Sequence, residues 1–125
     1  GEPARAAERS PRALLRRART FHIMSGTSYF EPVQLQNELR KRAEFDAWEL
    51  AIIDGYDRRA NADIQIEIDR PVFTYTYTYK LTDRATGIVL ATGKIYAFDG
   101  NTGAPKLARR IVEEIKRARG EAKEK

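Results

Sequence analysis

Cysteine is absent from the 125 residues. That excludes a disulfide frame, a thiolate nucleophile and any cysteine-based metal site. Histidine occurs once, at His22, so a zinc site needing two imidazoles is excluded as well. His22 stands between Phe21 and Ile23 in an apolar stretch and reads as a structural or surface imidazole rather than a general base. No apolar run approaches the ~20 residues of a spanning helix. Ser25-Gly26-Thr27-Ser28 occupies a place where phosphates are often held, but it lacks the lysine, the second glycine and the spacing of a phosphate loop. Asp99-Gly100-Asn101 lacks the spacing and closing glutamate of a calcium loop. The expectation is no catalytic residue, no cofactor, no metal and no small-molecule substrate.

What the chain does have is Phe73 to Tyr79, Phe-Thr-Tyr-Thr-Tyr-Thr-Tyr. A period of two puts the aromatics on one face of a strand and Thr74, Thr76 and Thr78 on the other. The run reaches Leu81, turns at Asp83-Arg84-Ala85-Thr86-Gly87 and returns through Ile88 to Phe98, a long β-hairpin over 72–98. Val89, Ala91, Gly93, Ile95 and Ala97 are mostly small, so they are set against the aromatic wall on the core side. Phe73, Tyr75, Tyr77, Val89, Ile95, Leu107, Ile111 and Ile115 are predicted to be mutually buried. Ile88, Leu90, Tyr96 and Phe98 then fall on the open face.

Upstream, Pro11 with Ser10 as cap predicts a short helix over 12–19. Thr20 to Ser25 reads as a strand, and Pro32 starts a helix to about Arg42 with Val33, Leu35, Leu39 and Phe45 as its stripe. Leu50 to Asp54 reads as a short strand, 55–61 as a polar loop, and Ala62 to Asp69 as a strand with Ile64, Ile66 and Ile68 inward and Gln65, Glu67 and Asp69 outward. Asp99 to Gly103 is predicted as a turn, and Pro105 as the opening of the last helix, which Gly120 ends. The fold class is α+β: a four- to five-stranded mixed or antiparallel sheet with two main helices on one face.

The net charge of +5 sits at the ends. Residues 1–19 hold six arginines against two glutamates, and 116–125 hold five basic groups against two acidic ones. The division expected is a basic N-terminal segment, 1–19, a single domain, 20–117, and a charged tail, 118–125. Such ends attract acidic lipid, nucleic acid or an acidic protein face. The tyrosines could stack bases, but threonines rather than cations interleave them, so nucleic acid ranks below core packing.

A family pattern accompanies these elements. Ala62-Asp63 enters a strand, a hairpin reads Leu81-Thr82-Asp83-Arg84-Ala85-Thr86-Gly87-Ile88-Val89-Leu90, and Ala108 to Ile115 closes with a helix. Over roughly residues 20–117 this resembles the α/β domain shared by the TolB amino-terminal domain, the curli-secretion lipoprotein and the lipoprotein activators of penicillin-binding proteins. The resemblance implies a non-catalytic accessory or subunit protein of a bacterial envelope assembly, acting through protein contacts. It also implies an extracytoplasmic place, in periplasm or envelope, after removal of a signal peptide. No lipobox cysteine is present, which speaks against the lipid anchor of some members. The partner-binding residues expected are Arg12, Arg16, Arg17 and Arg19, which lack a broad apolar side of their own, together with Leu90, Tyr96 and Phe98. An acidic membrane surface is a further contact for the arginine segment. The alternative is a nucleic-acid-binding domain using the basic termini and the sheet aromatics.

Overall fold

The computed structural model describes residues 9–120; the expectations for the first eight residues and for 121–125 lie outside them. The protein is α+β. A five-stranded mixed sheet has the order β2-β1-β3-β4-β5, with β1 Thr20–Ser25, β2 Ala51–Ile52, β3 Ile64–Asp69, β4 Thr76–Asp83 and β5 Val89–Tyr96. β1 runs parallel to both β2 and β3, while β3, β4 and β5 are antiparallel. Helix α1 spans Pro11–Arg17, α2 Pro32–Arg40, α3 Ala43–Ala47 and α4 Gly100–Ala118, and a 3₁₀ helix covers Tyr56–Asn61. The two main helices, α2 and α4, pack on the sheet.

The core follows the predicted periodicities where strands are paired. Ile64, Ile66 and Ile68 are buried, as are Tyr77, Tyr79, Leu81 and Ile95. From α4, Leu107, Ile111 and Ile115 close over them. The large-against-small fit is literal at one pair: Tyr79 faces Gly93 across β4 and β5. A β-carbon on Gly93 would stand 2.5 Å from the Tyr79 hydroxyl oxygen, closer than any real contact. Burial raises the pKa of Tyr79, and the neighbouring carboxylate of Glu114, to which its hydroxyl donates at 3.2 Å, adds to the effect.

Several expectations are corrected. Phe73 and Tyr75 are exposed rather than buried. β4 begins only at Thr76, and Thr74 folds the approach by donating from Oγ1 to the Pro71 carbonyl at 2.7 Å, so the period of two does not extend into the loop. Val89 also faces out. A register irregularity at Leu81/Thr82 pairs Thr82 with Val89, and such a shift exchanges the two faces. Val33 is exposed. Gln65 is buried because its side chain meets His22, with Nδ1 and Oε1 3.1 Å apart. The turn 99–103 is the first turn of α4, not a loop. Asp99 caps it, accepting from the Thr102 amide at 3.0 Å, and Pro105 lies inside the helix.

Helix α1 is held by the domain itself. Leu15 and Ala18 join the main core, and Ser10 accepts from the Ala13 amide as N-cap. Residues 10–18 are therefore ordered by the domain itself, and the segment expected to lack a broad apolar side of its own buries Ala13, Leu14, Leu15 and Ala18. The motif aspartates that carry the family resemblance hold backbone: Asp63 ties the entry of β3 to that of β1, and Asp83 makes the hairpin turn. Asp63 accepts from the amides of Arg19 and Thr20 at 2.9 and 3.2 Å. Asp83 accepts from the amide and hydroxyl of Thr86 at 3.0 and 2.7 Å, ahead of Gly87 at φ +79°.

Candidate functional site

The loop joining β3 to β4 and the exit from β5 meet at one end of the sheet. Beneath them Phe30 and Tyr77 pack edge to face, ring centroids 5.4 Å apart, fully buried. Above, Tyr75 and Phe98 repeat that arrangement at 5.2 Å on the surface. Tyr75 is 60% exposed, Phe98 74%, Tyr96 61% and Val72 75%. Phe73 is 99% exposed and has φ +62°. The left-handed region is a genuine outlier for a bulky side chain, so the loop holds Phe73 outward against its intrinsic preference. Arg70 sits at the base of the loop with its guanidinium 4.3 Å above the Tyr29 ring and 6.0 Å from that of Tyr75. Lys94 lies 5.9 Å from the Tyr96 ring. The result is a contiguous aromatic surface with cations at its margin, of the kind that marks a contact site.

The predicted contact residues do not form one patch. Tyr96 and Phe98 belong to the aromatic end. Leu90 does not share their face: it is half-buried against the core and lines a hollow on the helix side with Pro11, Arg12 and Leu15, at the other end of β5. Arg12 Nε donates to the Ala118 carbonyl at 3.3 Å, closing the C-terminus of α4, where a cation suits the helix dipole. Arg19 donates from Nη1 to the carbonyls of Arg17 and Ala18, at 3.4 and 3.1 Å, and so closes α1. Arg16 and Arg17 are exposed on α1. Phe73 and Tyr75 are the surface residues that the strand pattern misplaced, and the half-buried Arg70 was not expected at the site. Pro71 was the available signal, because a proline before an aromatic run delays the strand.

His22 is buried and faces Gln65 rather than a carboxylate. Asp54, near it, accepts from Gln36 Nε2 at 3.0 Å, and this hydrogen bond is the main reason its pKa lies below the usual value. Among the described residues no group of three or more histidine, aspartate or glutamate side chains could hold a metal ion, and no helix is long and apolar enough to cross a membrane.

No protein-family model and no curated protein matches the sequence. Two solved structures similar in fold are PelC dodecamers from Paraburkholderia phytofirmans. A point variant of PelC is 14% identical, with 82% of this chain and 88% of that chain covered and a TM-score of 0.45. A second PelC structure is also 14% identical, with 82% and 89% covered and a TM-score of 0.42.

Proposed function

We propose that this protein is a non-catalytic accessory or subunit of a bacterial envelope assembly, and that it works through protein–protein contacts made by its aromatic end. The observation that carries the reading is Phe73, fully exposed on a left-handed backbone amid Val72, Tyr75, Tyr96 and Phe98. Strained, exposed aromatics contribute nothing to the protein's own core, and aromatic side chains are favoured anchors of interfaces. The non-catalytic part rests on chemistry. The single imidazole is buried and meets Gln65 through Nδ1, and the motif aspartates Asp63 and Asp83 are spent on backbone amides and a threonine hydroxyl. The extracytoplasmic place rests on the family resemblance alone.

Co-purification from native membranes and extracts tests this reading, comparing the wild-type chain with a Val72→Ser/Phe73→Ser double variant. The expected result is a defined protein, identified by mass, that is retained by the wild type and lost from the variant. Retention by both would remove the aromatic end from the account.

Nucleic-acid binding is a second reading, favoured by the stacking of Arg70 on Tyr29 beside exposed tyrosines, an arrangement that accepts unpaired bases. It requires a single-strand shift at low salt that weakens steeply as salt rises and that Arg70→Ala abolishes. Removing residues 1–19 is not a suitable control, since Leu15 and Ala18 belong to the core.

A further inference from the structure

β5 is the edge of the sheet, and its outer side pairs with no strand among the described residues. Across β4 and β5 the Ala97 amide donates to the Tyr75 carbonyl at 3.0 Å, which fixes the phase of the ladder. Ala91, Gly93 and Ile95 then exchange hydrogen bonds with β4, and Thr92, Lys94 and Tyr96 turn their amides and carbonyls to the open edge. Of these the Tyr96 carbonyl accepts from Lys106 Nζ at 2.8 Å. Helix α4 runs alongside, so strand and helix bound a groove. An apolar hollow of about 400 Å³ lies at one end, lined by Tyr75, Tyr96, Phe98 and Lys106. A second, of about 300 Å³, lies at the other, where Leu90 meets Arg12 and Leu15. Leu90 and Tyr96 are six residues apart in the strand, roughly 20 Å. Between the hollows the groove is cationic. Lys106 and Arg110 are exposed on α4, and Arg110 stands beside the Tyr79 hydroxyl. Glu114, the acid on this side, is already paired with Arg117 at 2.9 Å.

We infer that this groove binds an extended acidic segment of a partner protein by strand addition to β5, with two apolar side chains six residues apart seated in the two hollows. Main-chain hydrogen bonds supply the pairing, and the hollows and cations select the segment. An even spacing is required, because only alternate side chains of an added strand turn to the helix. Lys106 gives up the Tyr96 carbonyl to the incoming amide. A second copy of β5 fits less well, since it would set the α4 cations of each copy against their own kind. The inference rests on the protein-contact reading above and shares Tyr75, Tyr96 and Phe98 with it, but it does not use the Val72 and Phe73 tip, so the tip variant and the α4 charge reversal separate the failure of one from the failure of the other.

The probe is the capped peptide Phe-Thr-Glu-Thr-Glu-Thr-Leu, titrated into the full chain and followed by NMR hydrogen exchange. Binding should slow exchange of the amides of Thr92, Lys94 and Tyr96. Lys106→Glu/Arg110→Glu, which alters only exposed positions, should weaken binding at least about tenfold. Lys94→Pro, which removes one outward N–H from the edge, should weaken it similarly. N-methylation of alternate peptide amides should abolish binding, and Val72→Ser/Phe73→Ser should leave it unchanged. No binding at millimolar peptide, binding without protection of those three amides, or equal binding by the charge-reversed variant would overturn the inference.

Discussion

Phe73 sets a conflict between stability and contact. Its left-handed backbone costs a bulky residue about 1–2 kcal/mol, and its exposed ring returns nothing to the fold. Asparagine accepts that conformation more readily. Phe73→Asn should therefore raise stability by up to about 1 kcal/mol while weakening partner retention, a trade-off that denaturant unfolding and co-purification read separately. Gly93 has the opposite character. Gly93→Ala forces a methyl into the Tyr79 ring and should cost about 1–3 kcal/mol in the same unfolding assay. Tyr79 adds a pH signature. Its folded pKa is raised above the ordinary 10.0, first by burial and then by Glu114. The neutral phenol thus favours the folded state, a contribution fully present below pH 10 and lost as pH climbs through the raised value. Unfolding midpoints measured upward from pH 9 should fall, and Tyr79→Phe should flatten that fall.

Helix α1 is where charge counting and packing disagree. Six arginines make residues 1–19 look like a solvated tail, yet Ala13, Leu14, Leu15 and Ala18 are buried. Spacing along a short helix shows that an apolar side exists; only the tertiary fold shows that α4 and β5 are there to receive it. Leu15→Ala should cost about 2–5 kcal/mol by thermal or denaturant unfolding, whereas a mere tail would tolerate it. Helix α4 carries a similar lesson. Pro105 resembles a helix start, but the Asp99–Thr102 capping box begins the helix a turn earlier. Losing that cap through Asp99→Ala should cost about 1 kcal/mol. Much of the sheet was legible, because Ile64, Ile66, Ile68, Tyr77 and Tyr79 alternate within paired strands. Phe73, Tyr75 and Val89 were not, because a loop entry and a register irregularity break the period without changing the composition. Of the site, Tyr96 and Phe98 were visible as open-face aromatics. Their meeting with Tyr75 and Arg70 depends on how two loops converge, which no local pattern encodes.

At the scale of the molecule, the two ends of β5 divide the labour. One end, with α1 and the C-terminus of α4, spends Arg12 and Arg19 on closing helices. The other presents aromatics that the fold does not use. Cross-linking in the native host tests this division most directly. A photoreactive residue is placed at Phe73 in one strain and at Arg109, exposed on the outer side of α4, in another, and the adducts are identified by mass. The prediction is a single discrete protein adduct from position 73, drawn from the cell envelope, and none of that mass from position 109. No adduct at 73, or the same products from both positions, would contradict an aromatic contact surface.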